Sequence, residues 1–588
     1  MKKESLSLKL KCLFFVFLIS LPLLHFWGDC RMFMKPFFLF SVGVIGLFFL
    51  NRGKLIASAF LTNLIIHSFV FLILLQFYFK WNLELNPFIF LMGLFLFYKI
   101  IKGFLFDNEN SNKPIPIISI IIILIGIEIL LFALSKKYNF LNFWPNKSVF
   151  SILIAAQLLF ITPHIKKIND SVIENKNRAE KLLACYFLIC YSLLFYTEGR
   201  GGILAFSIGL CIFHYGNLKS KAGYFKGILF CFLLLFLLLN IKSNSSSGRL
   251  FIYKVIITQL EPKQFITGIG YGKFSVKYNE LQAQYFSTES IDSKEALLAS
   301  NTYYMFNDPL QLIIETGLAG IIILIFLLIK FLFLFRRNSS FFSENQLLYG
   351  SYLSVICIII SSFFSYSFQI MGILLHFLFC TAIIIHADRL KYSSKYSRFL
   401  QKRQIIFSRT SLLLAAICLL FFGQASFKFY IELNEAIKYS NSGFRKKAIQ
   451  SYHKISNNSV QDRDILFNYA DELAKVNKID SALIILHRSS EYLNNDKSAL
   501  LMGNLFEQKG MFLDAENQYK KAVFINPKLF ANRSSLFKFY CETKQYKKAI
   551  YWGNSILSMP VKIPSKTITA IKSETKKLML EMQKLRKK

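Results

Sequence analysis

Two arginines stand where an arginine is costly. Arg200 lies in "FYTEGRGGILAF", residues 195–206, two residues after Glu198 in a very short hairpin between apolar runs. Arg249 lies in "SSGRLFIYK", where another apolar run has just ended. An arginine so near lipid is normally paired or faces a cavity, and its planar fork matches phosphate oxygens. Two such forks, each beside a glycine, can converge on one phosphorylated substrate. The plainer alternatives are an interfacial anchor or an Arg200–Glu198 ion pair. A third stretch, "NTYYMFNDPLQLIIETGLAG" (301–320), passes from polar residues into an apolar helix and carries Asn307, Asp308 and Gln311 at its polar end. Asp308 precedes Pro309, so it reads as a helix N-cap with proline at the first helical position, and equally as a general base.

The elements that must hold these residues are membrane helices. Hydrophobic residues make up 54% of the 588, with 64 phenylalanines, well above soluble usage. Apolar runs long enough to cross a bilayer recur at about 12–29, 36–50, 55–79, 87–106, 115–134, 148–164, 182–197, 201–215, 224–241, 309–335, 347–367, 370–387 and 410–427. With the N-terminus inside, the inner loops hold most of the lysine and arginine, densest from Arg389 to Arg409. The formal charge of +36 is therefore read as topology and contact with anionic lipid, not as nucleic-acid binding. The first run lacks a small-x-small cleavage site and is read as an anchor.

The expected fold is thus all-α: a polytopic membrane helical bundle of about 12–13 spans with a helical tail. The expected organisation is 1–241, N-terminal membrane helices; 242–308, a large outer loop; 309–429, C-terminal membrane helices; and 430–588, an external helical domain. The loop opens with "KSNSSSGRL", read as a flexible polar stretch. It continues to "ITGIGYGKF", where Gly268, Gly270 and Gly272 fall on alternate positions. No strand–helix unit surrounds them, so a dinucleotide site is set aside. Glycines so spaced let a backbone turn tightly against a close neighbour. Ten cysteines show no disulfide framework, and no metal spacing is visible. In the tail, Ala448, Ala482, Ala515 and Ala549 recur at 34, 33 and 34 residues, with Tyr452, Leu486 and Tyr519 four positions after the first three. The third unit (Gly503, Phe506, Gly510, Ala515, Tyr519, Ala522, Pro527) fits the tetratricopeptide (TPR) pattern, which stacks helix pairs into an α-solenoid that usually binds peptides or proteins. A purely architectural role is the alternative.

"TEGRGGILAF", "SGRLFIYK" followed by "ITGIGYGKF", and "FNDPLQLIIETGLAG" resemble, in that order, the motifs of the O-antigen ligase and polymerase superfamily. The resemblance is best over about 182–335. It implies a bacterial inner-membrane glycosyltransferase, with the N-terminus cytoplasmic and the large loop and tail periplasmic. The donor implied is an undecaprenyl-diphosphate-linked glycan; the acceptor is lipid A-core, another glycan or a protein. Arg200 and Arg249 match the family's diphosphate-holding arginines, and no nucleotide, metal or other cofactor is implied.

One position departs from that pattern. The family's histidine precedes Asn, Ser or Gln, then nine residues, Gly, two residues and a small or polar residue. Here Asn307, Gly317 and Gly320 fit, but the histidine position is Phe306, which cannot accept a proton. Three accounts follow: a substitute base among Asp308, Glu315 and Glu198, with Asn307 beside it; a leaving group activated enough to need little base; or a chain that no longer catalyses. The last corresponds to a non-catalytic membrane scaffold or polysaccharide transporter that recruits envelope proteins through its repeats.

Overall fold

The computed structural model describes residues 147–392 and 431–587, apart from 198, 216–242, 292, 457–462 and 562, with a few scattered positions elsewhere. The expected spans before 147, at 224–241 and at 410–427, and the proposed Glu198, lie outside the described residues. Among those described there is no strand. The chain divides into two compact units: residues 1–241, 306–309 and 321–430 form one, and 242–305, 310–320 and 431–588 the other.

The first unit is a bundle of apolar helices: α1 (Lys147–Val172), α2 (Lys176–Tyr196) and α3 (Arg200–Tyr215), then α8 (Leu318–Asn338), α9 (Gln346–Ser362) and α10 (Met371–Tyr392). Four helices, Ser148–Val172, Asn177–Tyr196, Leu318–Phe341 and Met371–Asp388, are long and apolar enough to cross a membrane, and two shorter apolar ones run from Arg200 to His214 and from Gln346 to Ser362. α1 is apolar on all sides and sits at the centre, packed by α9, α3 and α2. Its span is 89% buried, against 11% for Leu318–Phe341, whose isoleucine, leucine and phenylalanine side chains face outward as lipid contact requires. Lipid supplies no hydrophobic drive between helices, so close approach does the work. A methyl on Gly350 would lie 2.0 Å from the Phe160 carbonyl, and α9 touches α1 backbone to backbone there. Buried serines on α9 find partners, Ser351 in the Leu347 carbonyl of its own helix at 2.7 Å and Ser354 in His376 Nε2 of α10 at 2.8 Å.

The second unit contains α4 (Ser243–Gln259), α5 (Pro262–Thr267) and α6 (Phe274–Thr288) of the large loop, most of α7 (Asp308–Thr316), and the tail. Two expectations are corrected here. The serine-rich opening is helical from Ser243, because Phe251, Ile252, Val255 and Ile256 bury one face of α4 against α6. That burial outweighs the few tenths of a kcal/mol that each serine costs a helix. The run at 309–335 is not one helix either. It breaks at Gly317, whose φ of 64° separates α7 from α8.

The tail begins with a helix over 431–441 and continues through α11 (Arg445–Ser456), α12 (Arg463–Lys475), α13 (Ile479–Ser490), α14 (Asp496–Gln508), α15 (Phe512–Ile525), α16 (Phe530–Glu542), α17 (Tyr546–Ser558) and α18 (Lys566–Lys587). Left-handed residues Gly443, Asn477, Gly510 and Lys544 join successive pairs, at the same intervals as the alanines. All four alanines are fully buried. Gly503 leaves room for Tyr519, to which a methyl would come within 2.9 Å.

Candidate functional site

Arg200 is the first residue of α3 and half-buried. What fixes it is the second glycine behind it: a methyl on Gly202 would overlap Ser151 on α1, 2.0 Å from its hydroxyl oxygen. Ser151 also donates its hydroxyl to the Gly199 carbonyl at 2.8 Å. The "RGG" turn is therefore pinned to the central helix from both ends, and Arg200 opens α3 at its positive end, where an anion is favoured.

Residues 306–309 belong to the same unit and dock on the turn between α9 and α10. Phe306 has φ 58°, a conformation unusual for a bulky residue, and its ring meets the edge of Tyr366 at 5.5 Å. Asp308 is buried, and its Oδ2 accepts the N–H of Phe368 at 2.9 Å. The carboxylate that reads as an N-cap in the sequence thus also accepts a hydrogen bond from the α9–α10 turn. Asn307 is half-buried.

In the second unit, Arg249 lies on α4, two residues before Phe251. Phe251 packs on the rings of Tyr285 and Phe286, each at 5.7 Å, and Lys254 pairs with Glu295 at 2.7 Å. One face of α4 is thereby locked to α6. The alternate glycines wrap the C-terminal end of α7. The N–H groups of Ile269 and Gly270 donate to the Ile314 and Glu315 carbonyls at 3.0 and 2.9 Å, satisfying acceptors that a helix end leaves open. The fit excludes any side chain: a methyl on Gly268 would lie 2.4 Å from the Glu315 carbonyl, and one on Gly317 would lie 2.1 Å from that of Ile266.

Glu315 is the residue whose place the sequence leaves open. It is buried, its Oε2 accepts the Gly272 N–H at 2.9 Å, and its Oε1 accepts the Gln311 amide at 3.0 Å. Gln311 in turn accepts the N–H of Met305 at 3.1 Å, so one chain of bonds links the glycine turn to the residue before Phe306. Glu315 precedes the span that starts at Leu318. Burial, opposed by these hydrogen bonds, raises its pKa from 4.5 to about 7. Both of its oxygens accept hydrogen bonds from the fold. The signal for this was present: Gln311 and Glu315 are four apart on an apolar helix and so share a face.

The structure brings Phe306 and Asp308 together with Tyr366 and Phe368, and Gly268, Gly270 and Gly272 together with Glu315. Arg200 and Arg249 fall in different units. Among the described residues no group of three His, Cys, Asp or Glu side chains could hold a metal ion. Residues 185–325, which contain Arg200, Arg249, the three alternate glycines, Phe306, Asp308 and Glu315, match a protein-family model described as O-antigen ligase. No curated protein matches the chain. The match and the apolar helices support a membrane protein with a ligase- or polymerase-like function.

Proposed function

We propose that this protein is a membrane glycosyltransferase that moves a glycan from undecaprenyl diphosphate to an acceptor hydroxyl at the periplasmic face of the bacterial inner membrane. The observation that carries the proposal is the single matched segment, 185–325, which spans the Arg200 hairpin, Arg249 and the 306–308 motif. In this reading the acceptor oxygen bonds to the anomeric carbon as the carbon–oxygen bond to the diphosphate breaks. Arg200 and Arg249 stabilise the charge that collects on the departing diphosphate, the main electrostatic contribution such a step needs. The hydroxyl proton passes to the departing group. Glu315 is held by Gly272 and Gln311, and Asp308 by Phe368, which favours this leaving-group-driven route over a substitute base.

The second unit supports a reading of sidedness. The loop and the tail share buried hydrogen bonds, which favours one compartment for both. That reading needs an even number of crossings between them, and α8, α9 and α10 with the apolar run that the sequence carries at 410–427 would supply four. The repeats, read as tetratricopeptide-like, then face the compartment of the loop. The second reading, a non-catalytic scaffold or transporter, is favoured by one observation, the phenylalanine at 306.

The test follows release of undecaprenyl diphosphate from a lipid-linked oligosaccharide with an envelope extract as acceptor. Arg249→Ala is expected to lower turnover about 10²-fold, the usual loss when one preorganised donor to a developing anion is removed. Asp308→Asn is expected to lower it less than about tenfold; a base would lose about 10²–10⁴-fold. Arginine-dependent lipid binding without turnover would establish the scaffold instead.

A further inference from the structure

The edge of the tail formed by the turns after α13 and α15 is occupied by the chain's own outer loop, just before the 306–308 motif. α6 packs along α15, and two of its buried side chains grip both partners at once. Asn279 donates to the Asn494 carbonyl at 2.7 Å and accepts the Thr302 N–H at 3.0 Å. Gln282 donates to the carbonyls of Ser300 and Ile525. Between them Asn301 pairs twice with Asp496: its amide donates to Oδ1 at 2.7 Å, and its oxygen accepts the Asp496 N–H at 3.3 Å. The other oxygen of Asp496 accepts amides from Asn526 and Asn532 at 3.0 and 3.1 Å. The buried Arg533 donates to the Ile291 carbonyl at 2.9 Å and to that of Pro527 at 2.8 Å.

A tail that only recruited partners would have no need of this. Buried polar networks are costly unless satisfied, and one that is satisfied fixes a single arrangement. Asn301 is held by Asp496 of the tail, Ser300 and Thr302 by Gln282 and Asn279 of α6, and Met305 by Gln311, so the backbone from 300 to 305 is fixed at both ends. Arg249 is reached from the same anchor, through α4 on α6 and α6 on α15. We propose that the helical tail is a positioning domain acting within its own chain. Asp496 and Arg533 set Ile291 and the segment 293–305, and through α6 the helix that carries Arg249. The proposal rests on the transferase reading of that site.

The experiment uses the full-length protein in detergent micelles with Asn301→Asp, Asp496→Asn and the double variant. Asn301→Asp sets two carboxylates against each other. It is expected to lower kcat for undecaprenyl diphosphate release about tenfold or more, because misplacements of about 1 Å cost up to 10²-fold. Hydrogen exchange across 274–305 is expected to accelerate about tenfold, while α17 and α18 exchange as in the wild type and so exclude loss of the tail fold. In the double variant the amide and the carboxylate have changed places, and both readouts are expected to return to within about threefold of the wild type. Accelerated loop exchange with unchanged kcat, unchanged exchange, or no recovery in the double variant each overturns the proposal. If the wild type releases no undecaprenyl diphosphate from any donor, the transferase reading fails by itself. The proposal is then decided by affinity for vesicles carrying undecaprenyl diphosphate: a loss of about tenfold in Asn301→Asp supports it, and no loss overturns it.

Discussion

Replacing Glu315 with glutamine removes a titration that the fold pushes to neutral pH. Burial raises the Glu315 pKa from 4.5 to about 7, against the hydrogen bonds from Gly272 and Gln311. A carboxyl raised above its unfolded value contributes fully below about 4.5, and the contribution is lost as pH climbs through about 7. The difference between those values corresponds to about 3 kcal/mol for a group this deeply buried. Glutamine at 315 keeps an acceptor for the Gly272 N–H but turns an amide donor toward the Gln311 amide. That mismatch costs about 1–2 kcal/mol at every pH. The wild type is therefore expected to be the more stable protein at pH 4.5, and the Glu315→Gln variant to equal or exceed it by pH 8. Thermal unfolding followed by intrinsic fluorescence in detergent across that range measures the difference, and exchange of the Ile269, Gly270 and Gly272 amides localises it. A stability difference that stays constant to within about 0.5 kcal/mol from pH 4.5 to 8 would refute the reasoning, because the titration would then lie elsewhere.

Gly317→Ala is expected to destabilise by about 2–4 kcal/mol, since its methyl meets the Ile266 carbonyl at 2.1 Å in a left-handed conformation. Gly272→Ala has the same φ sign but open space, so it should cost about 1 kcal/mol; comparing the two unfolding midpoints separates overlap from strain. Phe306→His is expected to fold within about 1 kcal/mol of the wild type, because histidine enters the left-handed region more readily and keeps an aromatic edge for Tyr366. If the new imidazole takes the acceptor's proton, the turnover rate will rise with pH through about 6.5, a limb that the wild type lacks.

How much of this the sequence carries depends on the range of each interaction. The apolar runs at 148–164, 182–197, 201–215, 347–367 and 370–387 announce α1, α2, α3, α9 and α10, because a helix in lipid must be apolar along its whole length. The spacing of Ala448, Ala482, Ala515 and Ala549 announces the helix pairs, since small residues repeat where helices touch. The break at Gly317 escapes a hydropathy reading, because α7 and α8 are both apolar and only the φ of one residue parts them. The serine-rich start of α4 misleads for the opposite reason: its propensity is local and weak, and the burial of Phe251 and Val255 decides. Least legible is the pairing of Asn301 with Asp496, 195 residues apart, for an asparagine and an aspartate carry no mark of which distant partner they will meet.

Phe306 bears most directly on the chemistry. A large residue at φ 58° costs about 1–2 kcal/mol, and such strain persists only where the surroundings over-determine it. In the first unit the surroundings are visible: Tyr366 takes the ring, and Phe368 donates to Asp308 two residues on. In the second, Met305 gives its N–H to Gln311. The backbone at 306 is thus shaped by its neighbours and not by the side chain it carries, and it remains in the region that histidine and asparagine favour. Under the transferase reading proposed above, a turn held this way by Tyr366 and Phe368 suits a reaction in which the leaving group, and not a base, sets the barrier.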